Sequence, residues 1–227
     1  MNVKFIGSDF GPLVLGRTIL RRFPKASLEL EVCLSAEKSF QGDLCRNALL
    51  KILVQYTRFG RIGVFYDRKN ISAKEFFQKI SKETFDYAPH KVCRAESLPC
   101  FSFFETQILY EMANEGFSQS VEFRRLMRKV LRRAKNHHCD CVFFCETIFG
   151  EERTKKILQH LAGTQLQVFT PDDFLVFEDT KEGRKRSVKI TTEDDIEFVH
   201  QRAEEILCTK LKKTDITHGF FSMFVLE

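Results

Sequence analysis

One cysteine, Cys145, occupies a position where this chain could carry out chemistry. It follows a short apolar run, residues 141–144, and precedes a charged segment with helical apolar spacing, residues 151–161. The run has the length of a buried parallel strand, and the segment has the pattern of a helix that covers it. Ligands collect at the carboxyl ends of such strands, and a helix dipole stabilises a nearby thiolate. Because free cysteine is also a common core residue, the surrounding residues must decide its role.

Short apolar or alternating runs predict the strands that would position this thiol. We predict strands near residues 3–7, 28–33, 61–66, 90–94, 141–145, 165–169 and 187–191. With the helix-like segments between them, these strands predict an α/β fold. A charged stretch with one glycine, residues 178–186, has the composition of a linker.

The motifs around Cys145 occur in a recognisable order. Val142-Phe143-Phe144-Cys145-Glu146-Thr147 is followed by Leu166-Gln167-Val168-Phe169, and it is preceded by Gly60-Arg61-Ile62-Gly63-Val64-Phe65 and by Leu98-Pro99-Cys100-Phe101-Ser102-Phe103-Phe104-Glu105. In order and spacing, residues 58–208 resemble the cofactor-independent aspartate/glutamate racemase family, most closely glutamate racemase. That family has Gly-Cys-Thr-His at the strand end, Gly-Arg-Ile-Gly-Val upstream and Cys-Pro-Leu-Phe-Val-Pro-Leu-Val-Glu between them.

The resemblance implies two similar α/β domains around a cleft. The first domain would consist of residues 1–57 plus 179–227 and would be shortened, since the chain is too short for one of the family's strand-loop units. Residues 58–178 would form the second domain. It also implies catalysis without a metal or cofactor, an acidic amino acid as ligand, and a homodimer.

Racemisation without a cofactor needs one base that removes the α-proton and one acid that returns a proton from the opposite face. Two thiols across a cleft meet this need when neighbouring groups adjust their pKa values. The resemblance assigns these roles to Cys145 and Cys33. It places Ser8, Ser35, Glu146 and Thr147 at substrate-binding positions and Glu105 in a supporting position.

Several of these positions depart from the family pattern. Residues 6–12, Ile-Gly-Ser-Asp-Phe-Gly-Pro, resemble the family's opening Phe-Asp-Ser-Gly-x-Gly-Gly, but Gly7 stands where the family has its acidic residue. That carboxylate is lost unless Asp9 compensates from a shifted turn. Thr147 stands where the family has a histidine. Glu146 replaces a threonine that helps to hold the substrate, and its carboxylate would repel a dicarboxylic amino acid. These departures predict a weak or inactive racemase.

The identity of the first thiol is open. Residues 28–32 alternate like a half-buried strand and end at Cys33-Leu34-Ser35-Ala36, which resembles the family's Cys-Asn-Thr-Ala. Alternatively, residues 32–42 are the remnant of an earlier loop and the cysteine loop is deleted. Cys45 is a third candidate, although no strand is predicted before it.

Composition narrows the class of protein. The chain has 227 residues, of which 43% are hydrophobic, which is enough for a full α/β core. An opening signal and an apolar run of about 18 residues are both absent, so we expect a cytoplasmic protein without a membrane span. The eight cysteines lack disulfide-scaffold spacing and are expected to be reduced. His137 to Cys141 has no second ligand pair with zinc-site spacing, so a metal is not expected.

A basic helix is predicted before the Cys145 strand. Its apolar positions recur at helical spacing, and basic residues fill the opposite face of residues 124–135. Such a face is usually only solvated, but it could also bind nucleic acid or another anionic surface.

Three functions follow from these observations. The first is a glutamate racemase-like protein with a degenerate active site that racemises glutamate or aspartate weakly or not at all. The second is an active, divergent two-cysteine racemase that supplies D-glutamate for peptidoglycan. The third is a non-catalytic binding or regulatory module that uses the basic helix.

Overall fold

A computed structural model describes residues 2–34, 44–45, 47–48, 51–52, 62–66, 75, 84–86, 92–94, 100–101, 104–175, 186–192, 195–218 and 221–226. The chain forms two compact units, residues 1–39 with 175–227 (unit 1) and residues 40–174 (unit 2). The predicted domain boundaries at 57/58 and 178/179 lie outside the described residues. Among the described helices, none is long and apolar enough to cross a membrane.

The described elements alternate between strands and helices. The strands are β1 (Asn2–Gly7), β2 (Ser27–Cys33), β3 (Ile62–Phe65), β4 (Thr84–Asp86), β5 (Val92–Arg94), β6 (Cys100–Phe101), β7 (Cys141–Phe144), β8 (Gln167–Phe169), β9 (Arg186–Thr191), β10 (Leu211–His218) and β11 (Phe221–Leu226). The α-helices are α1 (Gly11–Arg22), α2 (Phe104–Asn114), α3 (Val121–Asn136), α4 (Glu152–Ala162) and α5 (Ile196–Leu207), and 3-10 turns cover Phe117–Gln119, Thr147–Gly150 and Pro171–Phe174.

Unit 1 contains a five-stranded sheet in the order β1-β2-β9-β11-β10. Strands β1, β2 and β9 are parallel, whereas β11 pairs antiparallel with both β9 and β10. Leu28, Leu30 and Val32 of β2 are buried. Glu31 lies at an alternate position of β2, on the other face of the sheet. It forms ion pairs with Lys4 of β1 at 3.2 Å and with Lys189 of β9 at 3.0 Å, so it connects the three parallel strands.

Helix α1 packs against β2 and α5. Its buried side chains include Leu13, Leu15 and Ile19. Gly16 permits close approach to the sheet, because a Cβ atom at this position would lie 2.6 Å from Leu30 Cδ1. The helix thereby covers the parallel part of the sheet with an apolar surface.

Unit 2 contains a four-stranded, wholly parallel sheet in the order β6-β3-β7-β8. All four residues of β3 and of β7 are buried, as expected for central parallel strands covered on both faces. Ser120 is the N-cap residue of helix α3, and its Oγ accepts a hydrogen bond from the Phe123 backbone N at 3.1 Å. Helices α2, α3 and α4 pack against one another.

The sequence-based α/β prediction is confirmed, and each predicted strand has a counterpart within a few residues. The predicted helix at 151–161 is found at Glu152–Ala162. Strands β10 and β11 were not predicted. They occupy the segment after α5, where β11 pairs antiparallel with β9.

Candidate active site

Cys145 lies at the carboxyl edge of the unit 2 sheet, as the sequence predicts. It follows the last residue of β7, and its backbone N donates to the Phe65 carbonyl oxygen at 3.0 Å, which continues the pairing of β7 with β3. The residue is only 5% exposed. Phe144 stacks on Phe65 with ring centroids 5.0 Å apart. Apolar packing therefore surrounds the strand end from which the thiol projects.

A turn that the sequence did not predict separates Cys145 from the helix predicted at residues 151–161. A 3-10 turn, Thr147–Gly150, intervenes, and α4 begins only at Glu152. The physical reason is packing, because Phe149 is buried and contacts Phe144 with ring centroids 5.0 Å apart. This contact holds the chain against the sheet before the helix can begin.

Cys45, the third candidate thiol, lies against Cys145. Its Sγ donates a weak hydrogen bond to the Cys145 carbonyl oxygen at 3.6 Å, and only 1% of the residue is exposed. Sequence reasoning had no signal for this contact, since the two residues are far apart in the chain. The contact adds a second buried thiol to the same edge of the sheet.

The predicted substrate-binding residues of unit 2 follow Cys145 directly. Glu146 is half-buried with an extended backbone at the start of the 3-10 turn, and Thr147 is buried. Glu105, the predicted supporting residue, lies in the first turn of α2, where its carboxylate pairs with Lys129 and Arg133 of α3. These two cations lower the pKa of Glu105. Glu105 thus joins two helices.

Two further predicted residues lie in unit 1. Strands β1 and β2 are parallel with Gly7 opposite Val32, so Ser8 and Cys33 follow at neighbouring carboxyl ends. Cys33 is half-buried and pairs with Thr191 of β9. The unit 1 sheet therefore brings Ser8 and Cys33 to one edge. Ser35, the remaining predicted substrate-binding residue, lies outside the described residues.

The turn after β1 explains why an acidic side chain is absent from position 7. A Cβ atom on Gly7 would lie 2.8 Å from Cγ and 2.9 Å from Cδ of Pro12, distances that require a shift of the proline ring. Pro12 is fixed in the first turn of α1, and Asp9 Oδ1 accepts a hydrogen bond from the Gly11 backbone N at 2.8 Å. Glycine at position 7 and proline at position 12 are therefore sterically linked.

A buried polar cluster that the sequence analysis missed lies where β8 ends. Lys155 of α4 pairs with Asp172, at 3.0 Å, and with Asp173. Asp173 Oδ2 also accepts hydrogen bonds from the backbone N and Oγ1 of Thr170 at 2.9 and 3.1 Å. Burial raises the pKa of Asp172, while Lys155 opposes the shift. The sequence did contain a signal for this cluster, because Asp172 and Asp173 are adjacent and follow shortly after the strand predicted at residues 165–169.

The cysteines before Cys145 do not form a metal site in the described part of the chain. No group of three potential ligands is close enough there to hold an ion. Burial raises the pKa of the Cys141 thiol to about 12, with a further contribution from Asp140. Cys141 is therefore a protonated core residue at neutral pH.

The mixed five-stranded sheet and the wholly parallel four-stranded sheet define an α/β protein, and β4 pairs antiparallel with β5 in a further two-stranded sheet. No protein-family model and no curated protein sequence matches the chain. Its structure is similar to that of the glutamate racemase from Francisella tularensis subsp. tularensis SCHU S4 in complex with D-glutamate. The TM-score is 0.62, with 11% sequence identity over 96% of this chain and 97% of that chain.

This similarity establishes a glutamate racemase-like fold. At 11% identity, the activity of the Francisella protein cannot simply be transferred to this chain. Because the alignment spans nearly all of both chains, it lends no support to the expected loss of one unit from the first domain, which stays a prediction.

Proposed function

We propose that this chain is a glutamate racemase-like protein that racemises glutamate or aspartate weakly or not at all. The observation that carries the proposal is the contact between positions 7 and 12. Where the resemblance implies an acidic residue that adjusts a catalytic thiol, Gly7 has no side chain and Pro12 fills the space that a Cβ atom would need. The Pro12 ring therefore excludes a pKa-adjusting side chain at position 7.

The surroundings of Cys145 support the same conclusion. A thiol removes an α-proton only as a thiolate, which requires a nearby cation, helix dipole or base. At Thr147 the chain offers a buried hydroxyl instead of an imidazole, and the α-helix begins seven residues after Cys145. Glu146 stands where the resemblance implies a threonine that helps to hold the substrate, and a carboxylate there would repel a dicarboxylic amino acid.

The test is deuterium exchange at the α-carbon of L- and D-glutamate and L- and D-aspartate in D2O, followed by NMR. We expect exchange at or barely above the buffer rate for the wild type. If the wild type exchanges weakly, Cys145→Ala and either Cys33→Ala or Cys45→Ala should abolish the residual rate, whereas Cys208→Ala, at an exposed position, should leave it unchanged. An active glutamate racemase assayed in parallel establishes that the conditions permit catalysis.

The opposite result would favour the active alternative. Rapid exchange that either Cys145→Ala or Cys33→Ala abolishes would contradict the proposal and identify a divergent two-cysteine racemase. Such an enzyme would supply D-glutamate for peptidoglycan.

A binding role is the second candidate function, and helix α3 favours it. Four exposed arginines of this helix, Arg124, Arg125, Arg128 and Arg132, form no ion pair within the described residues. A protein that keeps the fold while losing the racemase groups could use this surface as a binding module.

A further inference from the structure

Helix α3 presents a continuous row of positive charge, which we call the basic face. The row consists of Arg125, Arg128, Lys129 and Arg132. Their spacing of three, four and seven residues places them on one side of the helix over two turns. The whole helix has seven basic residues and one acidic residue, Glu122, whereas the complete chain has a net charge of only +5. The positive charge of the protein is thus concentrated on this element.

The arginines of the basic face are available to a ligand. Arg125, Arg128 and Arg132 are exposed and make no ion pair within the part of the chain that the structure describes, whereas Lys129 is paired with Glu105. The basic face, together with Glu122 and Leu126, lines an open groove of about 640 Å³. Among the described residues, the lining of this groove therefore includes four cationic side chains and one carboxylate.

The apolar side of α3 is buried, which excludes insertion of this helix into a membrane surface. Phe123, Met127, Val130, Leu131 and Ala134 are all at most 1% exposed. An amphipathic helix that inserts into a membrane surface must place its apolar side in the lipid, but this side of α3 is already part of the protein core. The basic face can therefore act only through its charges and hydrogen-bond donors.

Two exposed aromatic side chains lie in the elements that adjoin helix α3, namely the 3-10 turn before it and helix α2. Phe117 is 54% exposed and lies in the 3-10 turn before α3, and Phe104 is 58% exposed. Phe104 directly precedes Glu105, the residue that pairs with Lys129 of the basic face. Bases stack on such rings, and arginine binds phosphate through two parallel hydrogen bonds.

We propose that the basic face of α3 binds single-stranded nucleic acid, with its arginines on the phosphate backbone and Phe104 and Phe117 as stacking surfaces. This inference deepens the binding role proposed above and does not depend on whether racemisation is retained. Single strands are favoured over duplexes because unpaired bases are free to stack on the rings.

The experiment is fluorescence anisotropy with labelled oligouridylate and oligothymidylate over a range of salt concentrations. The test variant is Arg125→Glu/Arg128→Glu/Arg132→Glu, and the control is Arg153→Glu/Lys156→Glu/Lys210→Glu, which changes the net charge equally at other exposed positions. We expect the test variant to bind at least tenfold more weakly. The slope of log K against log salt should fall by about 2, at ~0.7 per lost phosphate contact. The control should retain wild-type affinity.

Stacking is tested separately with Phe104→Ala and Phe117→Ala. We expect each variant to weaken oligonucleotide binding by roughly tenfold, within the range observed for a lost stacked base, without a change in the salt slope. Circular dichroism establishes that each variant is folded, and the α-carbon exchange assay on the same samples separates this question from racemase activity.

Three results would overturn the proposal. One is the absence of oligonucleotide binding by the folded wild type at low salt. Another is equal weakening by the test and control variants, which would indicate dependence on net charge alone. The third is tighter binding to phosphatidylglycerol vesicles or to polyglutamate than to the oligonucleotides, with the same loss in the test variant, which would assign the face to a membrane surface or an acidic protein.

Discussion

At the scale of single residues, the turn after β1 shows how one substitution can constrain another. The resemblance implies Asp-Ser-Gly-x-Gly-Gly where this chain has residues 7–12, so the acidic residue corresponds to Gly7 and the last glycine to Pro12. Proline is well suited to the first turn of a helix, and here it begins α1. Its ring also occupies the space beside Gly7. Restoring an acidic side chain at position 7 alone would therefore disturb the start of α1.

We expect Gly7→Ala to destabilise the protein by about 1 to 3 kcal/mol, the usual cost of overpacking. The added Cβ atom would lie 2.8 Å from Pro12 Cγ, and this clash outweighs the gain of up to about 1 kcal/mol from the lower chain entropy of alanine. Urea denaturation monitored by circular dichroism measures the change.

The double variant Gly7→Ala/Pro12→Ala provides the control for this effect. Because the ring is then absent, the substitution at position 7 should cost less than about 0.5 kcal/mol in that background, since residues in contact are not additive. An equal cost with and without Pro12 would show that the steric contact is not the cause.

At the scale of elements, Lys155 connects α4 to the turn after β8. Its ammonium group is the shared partner of Asp172 and Asp173, and its side chain is only 16% exposed. Two adjacent carboxylates at a buried strand end would repel each other without this cation. The packing of the helix on the sheet therefore depends on charge as well as on apolar contacts.

We expect Lys155→Met to destabilise the protein by about 2 to 3 kcal/mol at neutral pH. This is less than the cost of about 3 to 5 kcal/mol for a fully buried pair, because Asp173 is 30% exposed. Lys156→Met is the matched control on the same helix. Within the described residues Lys156 pairs only with Glu152, and its side chain is 71% exposed, so its loss should cost about 0.5 kcal/mol or less.

The difference between wild type and Lys155→Met should depend on pH. Burial raises the pKa of Asp172 above its ordinary value of 3.8, so its contribution to stability is complete below pH 3.8 and is lost as pH rises through the folded pKa. Removing Lys155 raises that pKa further and enlarges the loss. The destabilisation should therefore shrink as pH falls from 7 towards 4, and a pH-independent difference would contradict the assignment.

The strands show how far local pattern determines this fold. Residues 141–144 form a short apolar run, and residues 28–32 alternate strictly, so both were predictable as strands. Strand β10 contains Lys212, Lys213 and Asp215, and this polar composition gives no strand signal. Its pairing with β11 comes from tertiary context.

The candidate site likewise has features that the local sequence predicts and features that only the tertiary structure shows. The place of Cys145 at a strand end follows from local sequence, whereas the contact with Cys45 and the ion pairs of Lys155 join distant segments. Positions 7 and 12 lie within one short segment, yet the clash between a Cβ atom at position 7 and the Pro12 ring depends on how α1 follows β1. Such distances require coordinates, which residue types alone do not provide.

At the scale of the whole molecule, the two units differ in how the chain builds them. All strands of the four-stranded sheet come from one continuous segment, residues 40–174. The sheet of unit 1 instead combines β1 and β2 from the N-terminal segment with β9 to β11 from the C-terminal segment. Contacts between segments so distant in sequence form at a higher entropic cost.

We expect the fragment 40–174 to fold alone and the fragment 1–39 to remain unfolded alone. In the first fragment, β7 retains both of its parallel neighbours, β3 and β8. In the second, β2 loses its pairing with β9, which leaves an unpaired strand edge and exposes Leu30 and Val32. Mixing fragments 1–39 and 175–227 should restore the protection of β2 amides, as measured by hydrogen exchange with mass spectrometry. Protection of β2 in fragment 1–39 by itself, or a lack of cooperative unfolding in fragment 40–174, would contradict this division of the fold.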